Sequence, residues 1–149
     1  MISTNLSTSG ISAASSCVAV EAVCSIDEIA SRQTGSQQNV NTAGALADKI
    51  KGAIKTQVGS SLRCSIGIAP NRYLAKIAAD MKKPDGFTAI RPSDLPAILY
   101  SLKLRDLPGI GARMEARLRS RGILTLEKLH SLSAKELRQA WRPLPPTRS

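Results

Sequence analysis

Aromatic residues are scarce: 3% of the chain, with one Trp, one Phe and two Tyr. Any core is therefore built from Ala, Leu, Ile and Val, within an apolar fraction of 42% that is enough for one. No stretch reaches the roughly 18 consecutive apolar residues of a membrane-spanning helix. The N-terminus has no basic region followed by an apolar one, and so reads as carrying no secretory signal. Cysteine is sparse and odd in number. Cys17, Cys24 and Cys64 lack C-x-x-C spacing and are expected to be buried thiols in a reducing compartment, not a disulfide frame or a zinc site. Residues 1–16 carry no charge and no periodicity, are rich in Ser and Thr, and are expected to be a disordered lead-in without the arginines of a transit peptide.

What is abundant is positive charge, and its placement is informative. A chain of 149 residues is one ordinary domain or two small ones. Its formal charge is +10. Residues 1–60 carry four basic and four acidic side chains, whereas residues 61–149 carry seventeen and seven. The whole excess lies in the second part, the electrostatic footprint of a polyanion partner. A membrane surface is the weaker reading, because no basic amphipathic helix with bulky apolar residues supports it.

The most organised stretch is Leu62 to Ile90. Leu62, Cys64, Ile66 and Ile68 alternate with Arg63, Ser65 and Gly67, which predicts a half-buried strand ended by Pro70. Asn71 is placed to cap a helix in which Leu74, Ile77, Ala78 and Met81 form an apolar stripe. Arg72, Lys76 and Lys83 form a cationic row on the other side. Lys83-Pro84-Asp85-Gly86 predicts a turn in which Gly86 takes the positive φ, and Phe87 to Ile90 resumes a strand. Phosphate suits such a row beside a helix start. From this segment alone, a plain solvated helix face is the simpler reading.

Upstream, Cys17 to Val23 is β-prone and runs into Asp27-Glu28. In a regular strand the two carboxylates point to opposite faces, whereas at a bend or bulge they converge on one cation. A polar turn between strands is the simpler alternative. Thr34 to Asn41 reads as a loop. Thr42 to Val58 places Ala43, Leu46, Ala47, Ile50, Ala53 and Ile54 on one helical face, the pattern of a helix that covers a sheet.

Downstream, sheet patterning ends near Arg91. A connector with a cap at Ser93 or Asp94 leads into a short helix over Leu95 to Leu102. In Leu104 to Ile123, a short helix is followed by Pro108-Gly109-Ile110-Gly111 and a basic second helix stopped by Gly122. Two glycines bring the backbone close to an outside partner, and the first N–H groups of the second helix aim the same way. That is the physics of a helix-hairpin-helix phosphate clamp, with Arg113, Arg117, Arg119 and Arg121 around it. Thr125 to Leu132 predicts another helix. Ser133 and Glu136 form a capping box for one ending near Trp141, and His130 reads as a surface or packing residue.

Three blocks thus stand in order: CSIDEIA, SIGIAPNRYLAKIAADMKKPDG and LPGIGARMEARLRSRGI. Together, from about Val18 to Leu132, they resemble the Y-family (translesion, DNA polymerase IV and V) DNA polymerases. The resemblance implies an α+β fold. Residues 17–91 would be a partial palm, a mixed β-sheet with two covering helices. Residues 92–142 would be a small all-α helix-hairpin-helix thumb, followed by a tail at 143–149. It implies that Asp27 and Glu28 are catalytic and metal-binding, serving two Mg²⁺ ions. Lys76, with Arg72 beside it, would contact the incoming deoxynucleoside triphosphate (dNTP), and Gly109, Ile110, Gly111 and Arg113 would grip primer-template DNA. A cytoplasmic DNA-repair role follows, with no membrane. The tail shows no clamp-binding peptide.

This sequence departs from the family pattern in several places. Family members begin with a strand bearing another metal-binding Asp and an aromatic pair, and residues 1–16 have no acidic residue. The fingers would lie before Ser25, where there is no room for them, and no little finger follows. After Glu28 the chain reads Ile29-Ala30-Ser31-Arg32 instead of a Phe-Leu-Asp-like run. The expectation is a truncated polymerase fragment with little activity. The alternatives are a non-catalytic helix-hairpin-helix module that binds DNA backbone, or a remnant whose sheet has lost an inner strand.

Overall fold

The computed structural model describes residues 1–5, 14–17, 22–25, 28–32 and 40–142. The chain divides between Ser93 and Asp94 into two compact units. The first unit is a five-stranded mixed sheet. Its strands are β1 (Ile2–Asn5), β2 (Ala22–Ser25), β3 (Glu28–Ser31), β4 (Ser65–Ile68) and β5 (Phe87–Ala89), in the spatial order β2-β3-β1-β4-β5. All neighbours are antiparallel except β4 and β5, which are parallel.

The position of β1 corrects two expectations. Residues 2–5 are not a disordered lead-in, and the sheet has not lost its inner strand. Ile2–Asn5 lies at the centre, paired with β3 on one side and β4 on the other. Composition could not show this. A strand paired on both edges is held by its neighbours' backbone, and Ile2 at its start is buried, 1% exposed. Ala14 is also fully buried in the same cluster. Of the strand expected over Cys17 to Val23, the described residues include Ala22 and Val23, in β2. Cys17 itself lies in a turn closed by its N–H to the Ala14 carbonyl at 2.9 Å. Residues 18–21, most of the loop expected over 34–41, and the tail 143–149 lie outside the described residues.

Each face of the sheet carries one helix. Helix α1 (Val40–Gln57) buries Ala43, Ala47, Ile50 and Ile54, as its periodicity predicts. Ile50 and Ile54 pack with Ile2, Cys64 and Ile66. Burial pushes the Cys64 thiol up to about 12, so it stays protonated and inert. Helix α2 (Arg72–Met81) covers the opposite face, because Gly67 points away from Ile66. A Cβ on Gly67 would lie 2.0 Å from the Ala75 carbonyl oxygen and 2.2 Å from the Ala79 nitrogen. Glycine in the strand and alanines in the helix thus let backbone meet backbone, which is why β4 is buried on both faces.

The turn after α2 also differs from expectation in its details. The positive φ falls on Asp85, at 60°, not on Gly86. Gly86 is required for space instead: a Cβ there would come within 1.8 Å of the Lys82 carbonyl oxygen. Lys51 of α1 holds the turn, donating to the Asp85 carbonyl at 2.6 Å and pairing with its carboxylate at 3.2 Å. The Lys51 ammonium on the carboxylate, with help from the Cys64 N–H and Arg63, keeps the Asp85 carboxyl below its ordinary range.

The second unit opens with a 3-10 turn at Pro92–Asp94 and α3 (Ala97–Tyr100), shorter than the helix expected over residues 95–102. A second 3-10 turn (Leu104–Asp106) precedes α4 (Ala112–Ser120), α5 (Leu126–His130) and α6 (Ala134–Trp141). Their core is Leu104, Ile110, Leu118, Ile123, Leu126, Leu129 and Ala140. Thr125 caps α5 by accepting from the Lys128 N–H. The Ser133–Glu136 capping box is formed, with the Ser133 N–H donating to Glu136 at 2.8 Å. His130 stacks at a tilt on Tyr100 and meets its hydroxyl through Nδ1 at 2.8 Å, a packing role.

Gly67→Ala is expected to destabilise the first unit by about 3 kcal/mol, the upper end of overpacking. Gly52→Ala, in open space within α1, is expected to stabilise it by about 0.5 kcal/mol. Urea unfolding measures both. Because the folded Asp85 carboxyl is held low, its contribution is complete above the ordinary aspartate range and disappears as pH falls through the folded value. Asp85→Asn, which tolerates the same φ, is expected to lose less stability than wild type between about pH 5 and pH 3 in urea melts.

Candidate nucleic-acid interface

In the second unit the chain leaves the Leu104–Asp106 turn at Leu107 and reverses through Pro108-Gly109-Ile110-Gly111. The reversal is closed by the Ile110 N–H donating to the Leu107 carbonyl at 3.0 Å. Gly109 sits at φ 95°, a conformation other residues rarely adopt. Ile110 is 6% exposed and anchors the hairpin into the core. Gly111 is the N-cap of α4, at φ −83°, which any residue adopts. Neither its conformation nor crowding requires glycine there, since a Cβ would meet nothing within 4 Å. The helix it opens receives no side-chain cap, unlike α2, which Asn71 caps through the Leu74 N–H at 2.9 Å, and α6. Exposed N–H groups at the start of α4 therefore face open space beside a residue without a side chain, with Arg113 exposed next to them.

The arginines of α4 do not all surround this hairpin. Arg117 donates to the Trp141 carbonyl at 2.9 Å. Arg121 donates to the carbonyls of Gln139 and, at 3.2 Å, Arg142. These carbonyls lie at the C-terminal end of α6, the negative end of its dipole, where the Gln139 carbonyl also accepts the Arg142 N–H at 3.2 Å. Two guanidiniums thus fasten α6 to α4. Arg119 pairs with Glu115 one turn earlier, through Nε at 3.1 Å and Nη2 at 3.0 Å. Among the described residues, only Arg113 of the four has no such partner. The spacing in the sequence could not separate these roles, because the C-terminus of α6 is twenty residues away.

In the first unit, Lys76 and Arg72 lie one helical turn apart on α2, Arg72 exposed and Lys76 half-buried. Lys83 is not part of their row. The helix ends at Met81, and Lys83 lies in the next turn, paired with Asp80 at 2.5 Å. Helix α2 packs on β1, β4 and β5, and β3 is the neighbour of β1. Glu28 opens β3, in register with Ser25 of β2 and with Asn5 of β1. The β2–β3 register shifts between Val23 and Ser25. The pairing therefore changes just before the turn into β3. Asp27 itself lies outside the described residues.

A mixed sheet with a helix on each face, followed by a helical unit with a glycine hairpin and an uncapped basic helix, defines an α+β protein with a helix-hairpin-helix unit. The family patterns specify it further. The impB/mucB/samB family matches residues 4–80, and the helix-hairpin-helix motif of that family matches residues 92–123. The chain belongs to this family, the Y-family of DNA polymerases. It is 43% identical over 95 residues to DNA polymerase IV of Methanoculleus marisnigri, covering 64% of this chain and 26% of that protein. It is 39% identical over 115 residues to DNA polymerase IV of Pelotomaculum thermopropionicum, covering 77% and 28%. In structure it is similar to a DinB family error-prone DNA polymerase from Sulfolobus solfataricus, with a TM-score of 0.74 and 31% identity, over 88% of this chain and 39% of that one. The chain spans about a quarter of the length of the curated relatives it matches.

Arg113→Ala is expected to lower the salt dependence of duplex binding by about one phosphate contact, with thermal stability unchanged. Arg121→Ala is expected to do the reverse, costing about 1 kcal/mol of stability in the second unit with the salt slope unchanged. Fluorescence anisotropy across a salt series, alongside thermal melts, distinguishes the two.

Proposed function

We propose that this chain grips DNA through the hairpin Leu107–Arg113, as the thumb of a translesion polymerase does, and adds nucleotides poorly or not at all by itself. The observation that carries this reading is Gly111. It is a glycine with ordinary φ and empty surroundings, at the start of a helix whose first N–H groups have no side-chain cap. A phosphate oxygen placed there accepts those N–H groups, meets the positive end of the helix dipole and is neutralised by Arg113. Such contacts go to the backbone and read no sequence.

The first unit supplies palm-like parts. Lys76 and Arg72 stand on a helix fixed to the sheet by the Gly67 contact, where they would meet a dNTP. The family's two Mg²⁺ ions need several hard oxygen donors, preferably carboxylates. The chain offers Asp27 and Glu28, but the neighbouring strand β1 reads Ile-Ser-Thr-Asn, and the residue in register with Glu28 is the neutral Asn5. This donor set does not fit a two-ion centre, so no metal-assisted step is assigned to the chain.

DNA binding by the full chain is expected to weaken at least tenfold with Gly111→Leu, which fills the space a phosphate would take without touching the fold. Primer extension with Mg²⁺ and all four dNTPs is expected to give no product. Unchanged binding by the Gly111 variant contradicts the clamp, and robust synthesis contradicts the assignment of low activity.

A further inference from the structure

Helix α6 carries a feature that the hairpin clamp does not use. Lys135, Arg138 and Arg142 recur at i, i+3 and i+7, so they share one narrow face, and all three are exposed. No carboxylate interrupts that face. Glu136, the acidic residue of α6, is turned to the Ser133 cap, accepting from its hydroxyl at 2.7 Å. At the edge of the basic face, three residues after Arg138, stands Trp141, 43% exposed. It is the sole tryptophan of a chain with few aromatics, and it is not in the core.

Trp141 is nevertheless held in place. Its own carbonyl takes the Arg117 guanidinium at 2.9 Å, and Arg121 binds the carbonyls on either side, at Gln139 and Arg142. Arg117 lies one turn from Arg113 on α4, so the helix that opens at the hairpin also anchors the end of α6. A large exposed indole on an anchored backbone, flanked by cations at helical spacing, has the parts of a single-strand site: aromatic faces stack bases while cations follow the phosphates.

We infer that Trp141 is a stacking platform for an unpaired DNA base, and that Lys135, Arg138 and Arg142 carry the adjoining phosphates of a single strand. Duplex bases are already stacked on each other and have no free face for the indole. The site therefore prefers single-stranded DNA, whereas the hairpin clamp takes backbone of either kind. The inference goes beyond the clamp and rests on different residues.

The lone tryptophan is its own reporter. Titrating the full chain with a 12-nucleotide oligothymidylate at low salt should quench its fluorescence saturably, and a blunt duplex should quench it less. Trp141→Ala should weaken single-strand binding about fivefold or more and leave duplex binding within twofold, as read by anisotropy with a labelled oligonucleotide. Trp141→Phe should recover part of the loss. Replacing Lys135, Arg138 and Arg142 with Ala together should reduce the single-strand salt slope by about two. Trp141 is an exposed residue outside the buried core cluster, and a thermal melt confirms that each variant is folded. Single-strand binding without quenching, equal loss on both DNAs in Trp141→Ala, or no single-strand binding would each overturn the inference. If Gly111→Leu leaves duplex binding intact while the quenching persists, the clamp fails and the stacking platform stands.

Discussion

The close approach of α2 to β4 at Gly67 is the constraint on which the first unit depends. With no side chain at Gly67, and Ala75 and Ala79 above it, the helix lies directly on the backbone of the sheet. Several consequences follow from this contact. The strand is buried on both faces, and α1 can cover the other side through Ile50 and Ile54. The cap at Asn71 is set just beyond the strand end, and the outer side of α2 presents Arg72 and Lys76 at a fixed height. The turn back to β5 is equally tight at Gly86, and the Lys51–Asp85 pair ties it to the helix on the opposite face.

The second unit shows how a large positive charge divides between structure and binding. Four arginines lie on α4 and its C-cap, and a basic helix invites the reading that all of them face a polyanion. Their hydrogen bonds separate them. Arg117 and Arg121 stabilise the end of α6 by donating to carbonyls at its C-terminus, and Arg119 is matched by Glu115. That leaves Arg113 at the glycine hairpin, and Lys135, Arg138 and Arg142 on the outer face of α6, to act on a partner. Guanidiniums held on backbone carbonyls are less free to reach a phosphate, so the salt dependence of binding will be smaller than the formal charge suggests.

Much of this was legible in the sequence. Period-two alternation gave β4, helical periodicity gave α1 and α2, and turn and cap residues gave Asn71, the Ser133–Glu136 box and the stop at Gly122. The hairpin was recognisable because its glycines exceed what a loop needs. What the sequence concealed was non-local. Ile2–Asn5 has no pattern of its own and is a strand because two neighbours pair with it. Gly86 resembled a residue chosen for its φ, yet it is required by the nearness of Lys82, while Asp85 takes the unusual backbone. The partners of Arg117 and Arg121 lie about twenty residues downstream. The carboxylate pair was legible as a motif, whereas the neutral Asn5 opposite Glu28 appeared only once the register was known.

The central claim is that phosphate is bound by the first N–H groups of α4. Amide hydrogen exchange of the full chain, with and without duplex DNA, tests this most directly. The account predicts slower exchange at Ala112, Arg113 and Met114 when DNA is bound, and no such protection in the Gly111→Leu variant. Binding that leaves those amides unprotected while slowing others would contradict it.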